Sequence, residues 1–182
     1  MAQNAPQTVI LSEDEAWMYL QATTMSVWSP IANTPVVRVD PGRAKVGFYG
    51  TLDLHTGREL VSGSQDLTAA ASAAPLEHIL DTFPAGPILL FWDRAPWHRG
   101  PAIRALLAAH PRLEIIEYPV ATPELNPQEQ VWKQSRRAIS HNHTRPKLPP
   151  LADGFERPLK ANTFRTSFLH DYGFDAVCPF LN

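Results

Sequence analysis

The chain has 182 residues, the size of one ordinary domain or one domain with a tail. Its 18 prolines, about twice the usual ~5% share, argue against long uninterrupted helices, and its single cysteine, Cys178, excludes an internal disulfide and a Cys-rich zinc site. A net charge of −2, from 16 basic and 18 acidic residues, argues against a basic nucleic-acid wrapper when the chain is taken whole.

In chain order, Thr8–Leu11 reads as a short strand that ends in the acidic cluster Glu13-Asp14-Glu15. Pro35–Val39 reads as a second strand. Lys45–Leu54 reads as a third, and Glu59–Val61 returns after the turn at His55-Thr56-Gly57 as a fourth. Ala69–Phe83 is helical in composition, with Leu76, Ile79, Leu80 and Phe83 on one face. Pro87–Trp92 is a continuous apolar run, as expected of a buried central strand. Pro101–His110 is helical, Leu113–Tyr118 is a strand, and a helix opens at Asn126 and runs to about Ser140. Antiparallel strands followed by alternating strands and helices predict an α/β domain with a mixed sheet. The expected division is a domain over 1–142 and a Pro-rich basic extension over 143–182 that packs on it. Pro146, Pro149, Pro150 and Pro158 are expected to break up that extension as it crosses the surface, with one more helix near Asn162–His170.

Charge is unevenly spread. Residues 1–129 carry 8 basic and 14 acidic groups, a net of −6, and residues 130–182 carry 8 and 4, a net of +4. Such asymmetry marks either a polyanion contact or a solvated helix face with a loose tail. No basic leader precedes an apolar stretch, and no apolar run approaches the ~18 residues of a membrane span, so a cytoplasmic location without membrane contact is expected.

Three carboxylates stand where elements begin or end. Asp14 follows the first strand, Asp93 follows the apolar run, and Glu129 lies in the first turn of the helix opening at Asn126-Pro127. Sites in open α/β sheets form beyond the carboxyl ends of strands, and converging carboxylates suit hard divalent cations. Each has a plainer reading: Glu129 completes a capping box with Asn126, Asp93 starts a turn, and Asp14 is one of three solvated acids.

The flanking residues favour the site. Ile88-Leu89-Leu90-Phe91-Trp92-Asp93-Arg94-Ala95-Pro96-Trp97-His98-Arg99 resembles the "strand, Asp, x, Ala, Pro, x, His" signature of DDE transposases. Tyr118-Pro119 through Pro123-Glu124-Leu125-Asn126-Pro127-Gln128-Glu129 and on to Trp132 is similar to the second signature of that group, with 35 residues between Asp93 and Glu129. The chain resembles the bacterial insertion-sequence branch of the mariner-like transposases over about residues 8–140. The first motif departs from the usual strand followed by Asp-Glu, because Ser12 and Glu13 intervene before Asp14; Glu13 or Glu15 therefore stands as an alternative first carboxylate.

The resemblance implies an RNase H-like fold with a mixed five-stranded sheet flanked by helices. It implies Asp14, Asp93 and Glu129 as catalytic metal ligands for Mg²⁺ or Mn²⁺, two ions in all, and cutting of transposon ends followed by joining of 3′-hydroxyl ends to target DNA. Around them, Pro96, Asn126 and Pro127 are read as shaping the site. His98, Arg99, Lys133, Arg136 and Arg137 are candidate DNA contacts, with His98 also able to hydrogen-bond near the metals or to be a plain surface residue. Trp132 is expected to pack on the sheet. Trp17, Trp28 and Trp97 stack on bases or pack. His141-Asn142-His143 is not the dispersed nuclease motif that its letters spell, and is expected at the surface. DNA is the expected partner, with a separate helix-turn-helix half of the transposase and a homodimer as further expectations, in a nucleoid-associated setting. The competing reading is a non-catalytic RNase H-like module that binds DNA or a full transposase.

Overall fold

The computed structural model describes residues 8–37, 42–68 and 71–164. Five strands form one sheet: β1 (Val9–Tyr19), β2 (Lys45–Asp53), β3 (Glu59–Ser64), β4 (Ile88–Trp92) and β5 (Leu113–Glu117), in the spatial order β3-β2-β1-β4-β5. The first three pair antiparallel, and β4 and β5 join parallel on the other side of β1. Helices α1 (Ala73–Thr82) and α2 (Pro101–Ala109) supply the crossovers for the parallel strands, and α3 (Pro127–Ile139) and α4 (Leu148–Ala161) follow β5. Among the described residues no helix is long and apolar enough to cross a membrane.

The sheet has a core on each face. On one, Leu11, Leu90 and Trp92 pack with Leu76 and Ile79 of α1 and Ile103 of α2. On the other, Ile10, Ala16, Phe48 and Leu52 pack with Val131 and Trp132 of α3 and Leu151, Phe155 and Leu159 of α4. Successive residues of a strand point to opposite faces, so β1 contributes to both cores. Gly50 lies opposite Asp14 in the β1–β2 register. A Cβ there would run into the side chains of Trp132, Gln128 and Glu59, so glycine is what lets α3 lie this close to the sheet.

Three expectations change. First, β1 does not stop before the acidic cluster; it runs through Glu13-Asp14-Glu15 to Tyr19, so Asp14 sits mid-strand. Two of the three acids meet buried donors, Asp14 the Trp132 N–H and Glu15 the His98 ring. Second, residues 35–37 form no strand and Val36 is exposed, while residues 38–41 lie outside the described residues. Third, the prolines after residue 145 do not break up the chain. Pro149 and Pro150 occupy the first turn of α4, where a backbone N–H has no partner to lose. Pro158 lies near the end of the helix, and the apolar face Leu151, Phe155 and Leu159 is fully buried, with Phe155 5.1 Å from Phe48 ring to ring. Residues 162–164 are not helical, and the remainder of the helix expected near 162–170 lies outside the described residues, as does Cys178.

Candidate active site

Ser12, Asp14 and Ala16 face α3. Ser12 Oγ donates to Asn126 Oδ1 (2.8 Å) and shares a hydrogen bond with Tyr118 Oη (2.9 Å), which ties the start of α3 to β1. Asp14 is buried, and Trp132 Nε1 donates to its Oδ2 at 3.2 Å. Trp132 stands one turn beyond Glu129, so the helix that carries one carboxylate also holds another in place. Packing of Trp132 on the sheet was legible in the sequence; its bond to Asp14 was not. Ser12, Tyr118 and Gly50 are further site-building residues; Tyr118 and Gly50 lie in stretches that resemble the family, but for none of the three was a role at the site legible in the sequence.

Asp93 follows β4 directly. Its Oδ1 accepts from the Ala95 N–H (2.9 Å), so it does start a turn, and His98 Nδ1 lies 3.0 Å from the same oxygen. Burial pushes the Asp93 pKa up, but the bonds from His98 and Ala95 outweigh it and hold the carboxyl below its ordinary 3.8. Pro96 opens the 3₁₀ turn 96–99 that presents His98.

Glu129 lies in the first turn of α3, where the helix N-terminus favours its charge. Asn126 is the N-cap through its side chain, which accepts from the Gln128 N–H at 3.1 Å, with Pro127 at the first helical position. The Asn126 N–H goes to the Pro123 carbonyl (3.1 Å), so the reciprocal bond of a capping box is not what engages Glu129.

Asp14, Asp93 and Glu129 line one cleft of ≈ 400 Å³, together with Arg94, Tyr118 and Asn126. Three separate elements thus deliver three carboxylates to one space. Burial, and then the charges of Glu129, Glu15 and Asp93, push Asp14 from 3.8 up to about 8. A carboxylate crowded by others is what a bound cation would relieve, and an all-oxygen donor set suits a hard divalent ion. The three do not bring one oxygen each within 4.8 Å of one another; among the described residues the group that meets that limit is Glu13, Glu15 and His98. A two-ion site, in which each ion would take only some of the three carboxylates, would accept this wider spacing.

That second group lies on the opposite face of β1, and neither Glu13 nor Glu15 lines the cleft. Glu15 Oε1 accepts from Trp97 Nε1 (3.0 Å) and lies 2.8 Å from His98 Nε2. His98 is buried and stacks on Trp92 with ring centroids 3.7 Å apart. This corrects its reading as a phosphate contact or surface residue: both nitrogens are taken up by Glu15 and Asp93. Burial disfavours its charged form, yet those bonds raise its pKa from 6.5 to about 9. Glu13 is fully buried with neither carboxyl oxygen in an ordinary hydrogen bond, and burial drives its pKa well up.

Of the other candidate DNA contacts, Lys133 and Arg137 are exposed on α3, Arg136 reaches the Trp17 carbonyl (3.5 Å), and exposed Arg99 pairs with Glu117 (3.4 Å). Trp28 is fully exposed, whereas the Trp17 ring lies under Lys45 Nζ at 3.6 Å. His141 and Asn142 are joints rather than free surface: Asn142, at φ 53, exchanges bonds with Met25, and His141 bonds Thr23.

The model of the DDE superfamily endonuclease family matches residues 9–151. No curated protein matches the chain in sequence. Among solved structures, the Mos1 mariner paired-end complex with Mg is similar at 15% identity and a TM-score of 0.69, over 89% of this chain and 51% of that one. The Mos1 strand transfer complex is similar at 16% identity and 0.67, over 88% and 50%. The Mos1 catalytic domain with Raltegravir and Mg gives 14% and 0.62, over 88% and 76%. The chain therefore spans about half the length of the transposase chains in those two complexes. The sheet order and flanking helices are those of the RNase H-like fold of these proteins. With the family model covering most of its length, the chain belongs to the DDE superfamily endonuclease family.

Proposed function

We propose that this chain is the catalytic domain of a DDE-type transposase that cuts DNA at transposon ends and joins the 3′-hydroxyl ends to target DNA. The observation that carries this reading is the delivery of Asp14, Asp93 and Glu129 to one cleft, with Asp14 pushed to about 8 by burial and by its neighbours. These three residues would hold two Mg²⁺ or Mn²⁺ ions, and Mos1 structures are described with both metals. The ions would lower the pKa of the attacking hydroxyl and offset charge on the leaving oxygen. The chain's own contribution is positional. The carboxylates fix the ligand oxygens, Trp132 orients Asp14, and Asn126 aims the first turn of α3. In cutting, a water oxygen attacks phosphorus, the bond to the 3′ oxygen breaks, and that oxygen leaves as a hydroxyl. In joining, the oxygen of that hydroxyl attacks phosphorus in the target strand, the target's own bond from phosphorus to its 3′ oxygen breaks, and that 3′ oxygen leaves as a hydroxyl. No protein nucleophile is needed.

DNA is the partner, and Arg99, Lys133, Arg136 and Arg137 are proposed to track its backbone. Since the chain spans about half of the Mos1 chains, recognition of transposon ends is assigned to a helix-turn-helix segment outside these residues, and a homodimer to paired ends. The catalytic unit is read as residues 1–142, followed by an extension over 143–182 whose helix α4 packs on it, in a nucleoid-associated setting. The test is strand cleavage of a DNA duplex with Mn²⁺, comparing the wild type with Asp93→Asn. Cleavage lowered on the order of 10³-fold in the variant is expected. Equal cleavage by both would overturn the assignment, and DNA association without turnover by the wild type would favour a non-catalytic module.

A further inference from the structure

We propose that Glu15 and His98 are positioning residues for Asp93, forming a carboxylate–imidazole–carboxylate relay from β1 to the end of β4. This rests on the reading of Asp93 as a metal ligand.

The relay has a definite geometry. His98 Nδ1 lies 3.0 Å from Asp93 Oδ1 and 3.1 Å from the Asp93 carbonyl oxygen, and Nε2 lies 2.8 Å from Glu15 Oε1. Carboxylates only accept, so both ring nitrogens donate. The ring has no freedom to turn, because it stacks on Trp92 at 3.7 Å and 21°. Glu15 is fixed in turn by the Trp97 N–H at 3.0 Å. The side chains of Glu15 and His98 are about 5% and 4% exposed, against 44% for that of Asp93. The relay is thus sealed at its base and open only at the oxygen donor it orients.

Without it, Asp93 sits at the free end of a five-residue strand and is held by one backbone N–H. With it, Oδ1 is committed to Ala95 and His98, so the outward face of the carboxylate is set in one direction. Outer-shell partners of this kind orient ligands, and losing one costs typically 10–100-fold in metal affinity. The pleat gives adjacent residues different roles. Asp14 enters the cleft, while Glu15 enters the opposite face and acts on Asp93 through His98.

The test measures Mn²⁺ binding by electron paramagnetic resonance of the free ion, beside near-ultraviolet circular dichroism as a check of packing. Asp93→Asn, His98→Ala, His98→Gln and His98→Asn are compared with the wild type. The amide of Asn places an N–H where Nδ1 stood, and Gln places one near Nε2. The expected result is about 10–100-fold weaker binding in His98→Ala and His98→Gln, with most of the loss recovered in His98→Asn and the dichroism unchanged. Should His98→Ala not fold, the Gln and Asn variants decide the matter alone. Wild-type affinity in His98→Gln, or no recovery in His98→Asn, overturns the relay. Undiminished binding in Asp93→Asn overturns the underlying ligand assignment instead. Loss of an ion in Glu13→Gln, with none in Asp93→Asn, would place the metal in the buried group and overturn both.

Discussion

Asp14 and Glu15 are adjacent acids on one strand, and they meet opposite surroundings. Asp14 faces α3 and a cleft that it shares with Asp93 and Glu129. Glu15 and Glu13 face the other way, toward His98, Trp92 and Trp97. On the cleft side, like charges accumulate and burial with repulsion lifts Asp14 to about 8. On the other side, Glu15 is answered by two donors, while neither Glu13 oxygen is in an ordinary hydrogen bond and burial drives its pKa up. Residue type alone does not set the role of an acid; the pleat of the strand does.

The cleft face of the sheet is most vulnerable at Gly50. A side chain there collides with Trp132, Gln128 and Glu59 and pushes α3 off the sheet. Gly50→Val is expected to lower stability by about 1–3 kcal/mol in urea unfolding and to weaken Mn²⁺ binding with it. Wild-type values for both would show that α3 does not depend on this close approach.

Trp132→Phe is a finer cut. It keeps an aromatic ring in the core and removes the N–H that Asp14 Oδ2 accepts. About tenfold weaker Mn²⁺ binding is expected by calorimetric titration, with a smaller stability loss than at Gly50. Unchanged affinity would mean that this bond does not orient Asp14.

Much of this site could be read before the fold was known. The apolar run ahead of Asp93, and the Asn126-Pro127 start ahead of Glu129, are local signals: one strand or one helix end carries each. The course of β1 was not legible, because Ser12-Glu13-Asp14-Glu15 reads as a polar strand end unless both faces have buried partners, and those partners come from 82 to 118 residues away. Helix α4 was hidden for another reason. Its prolines carry a breaking signal, but two fall in the first turn, and burial of Leu151, Phe155 and Leu159 outweighs the third. The partners of His98 were equally out of reach, since Glu15 lies 83 residues away.

The two faces also predict a pH dependence. Asp14 is raised from 3.8 to about 8 and His98 from 6.5 to about 9, so the folded chain binds both protons more tightly than the unfolded chain. The contribution of Asp14 is complete below its unfolded value and lost as pH rises through about 8. That of His98 is complete below 6.5 and lost through about 9. In chelator, stability should therefore fall as pH rises across this range. Mn²⁺ needs Asp14 deprotonated, so its effect on the melting temperature should be larger at about pH 8 than at about pH 6. A metal-induced shift independent of pH would contradict the crowding of the cleft carboxylates.

The smallest effect is expected at Glu13. Glu13→Gln removes a carboxyl whose ionisation burial opposes, so the variant should gain stability relative to the wild type as pH rises above the ordinary 4.5 of the group, while Mn²⁺ affinity stays unchanged. Calorimetric melting across that pH range gives the stability difference. A large loss of Mn²⁺ binding would assign Glu13 to the metal site instead.

The account is tested most directly by anomalous diffraction from a crystal of this chain soaked in Mn²⁺. It predicts manganese peaks in the cleft, within bonding distance of Asp14, Asp93 and Glu129, on the α3 side of β1. A peak among Glu13, Glu15 and His98, with none in the cleft, would contradict it.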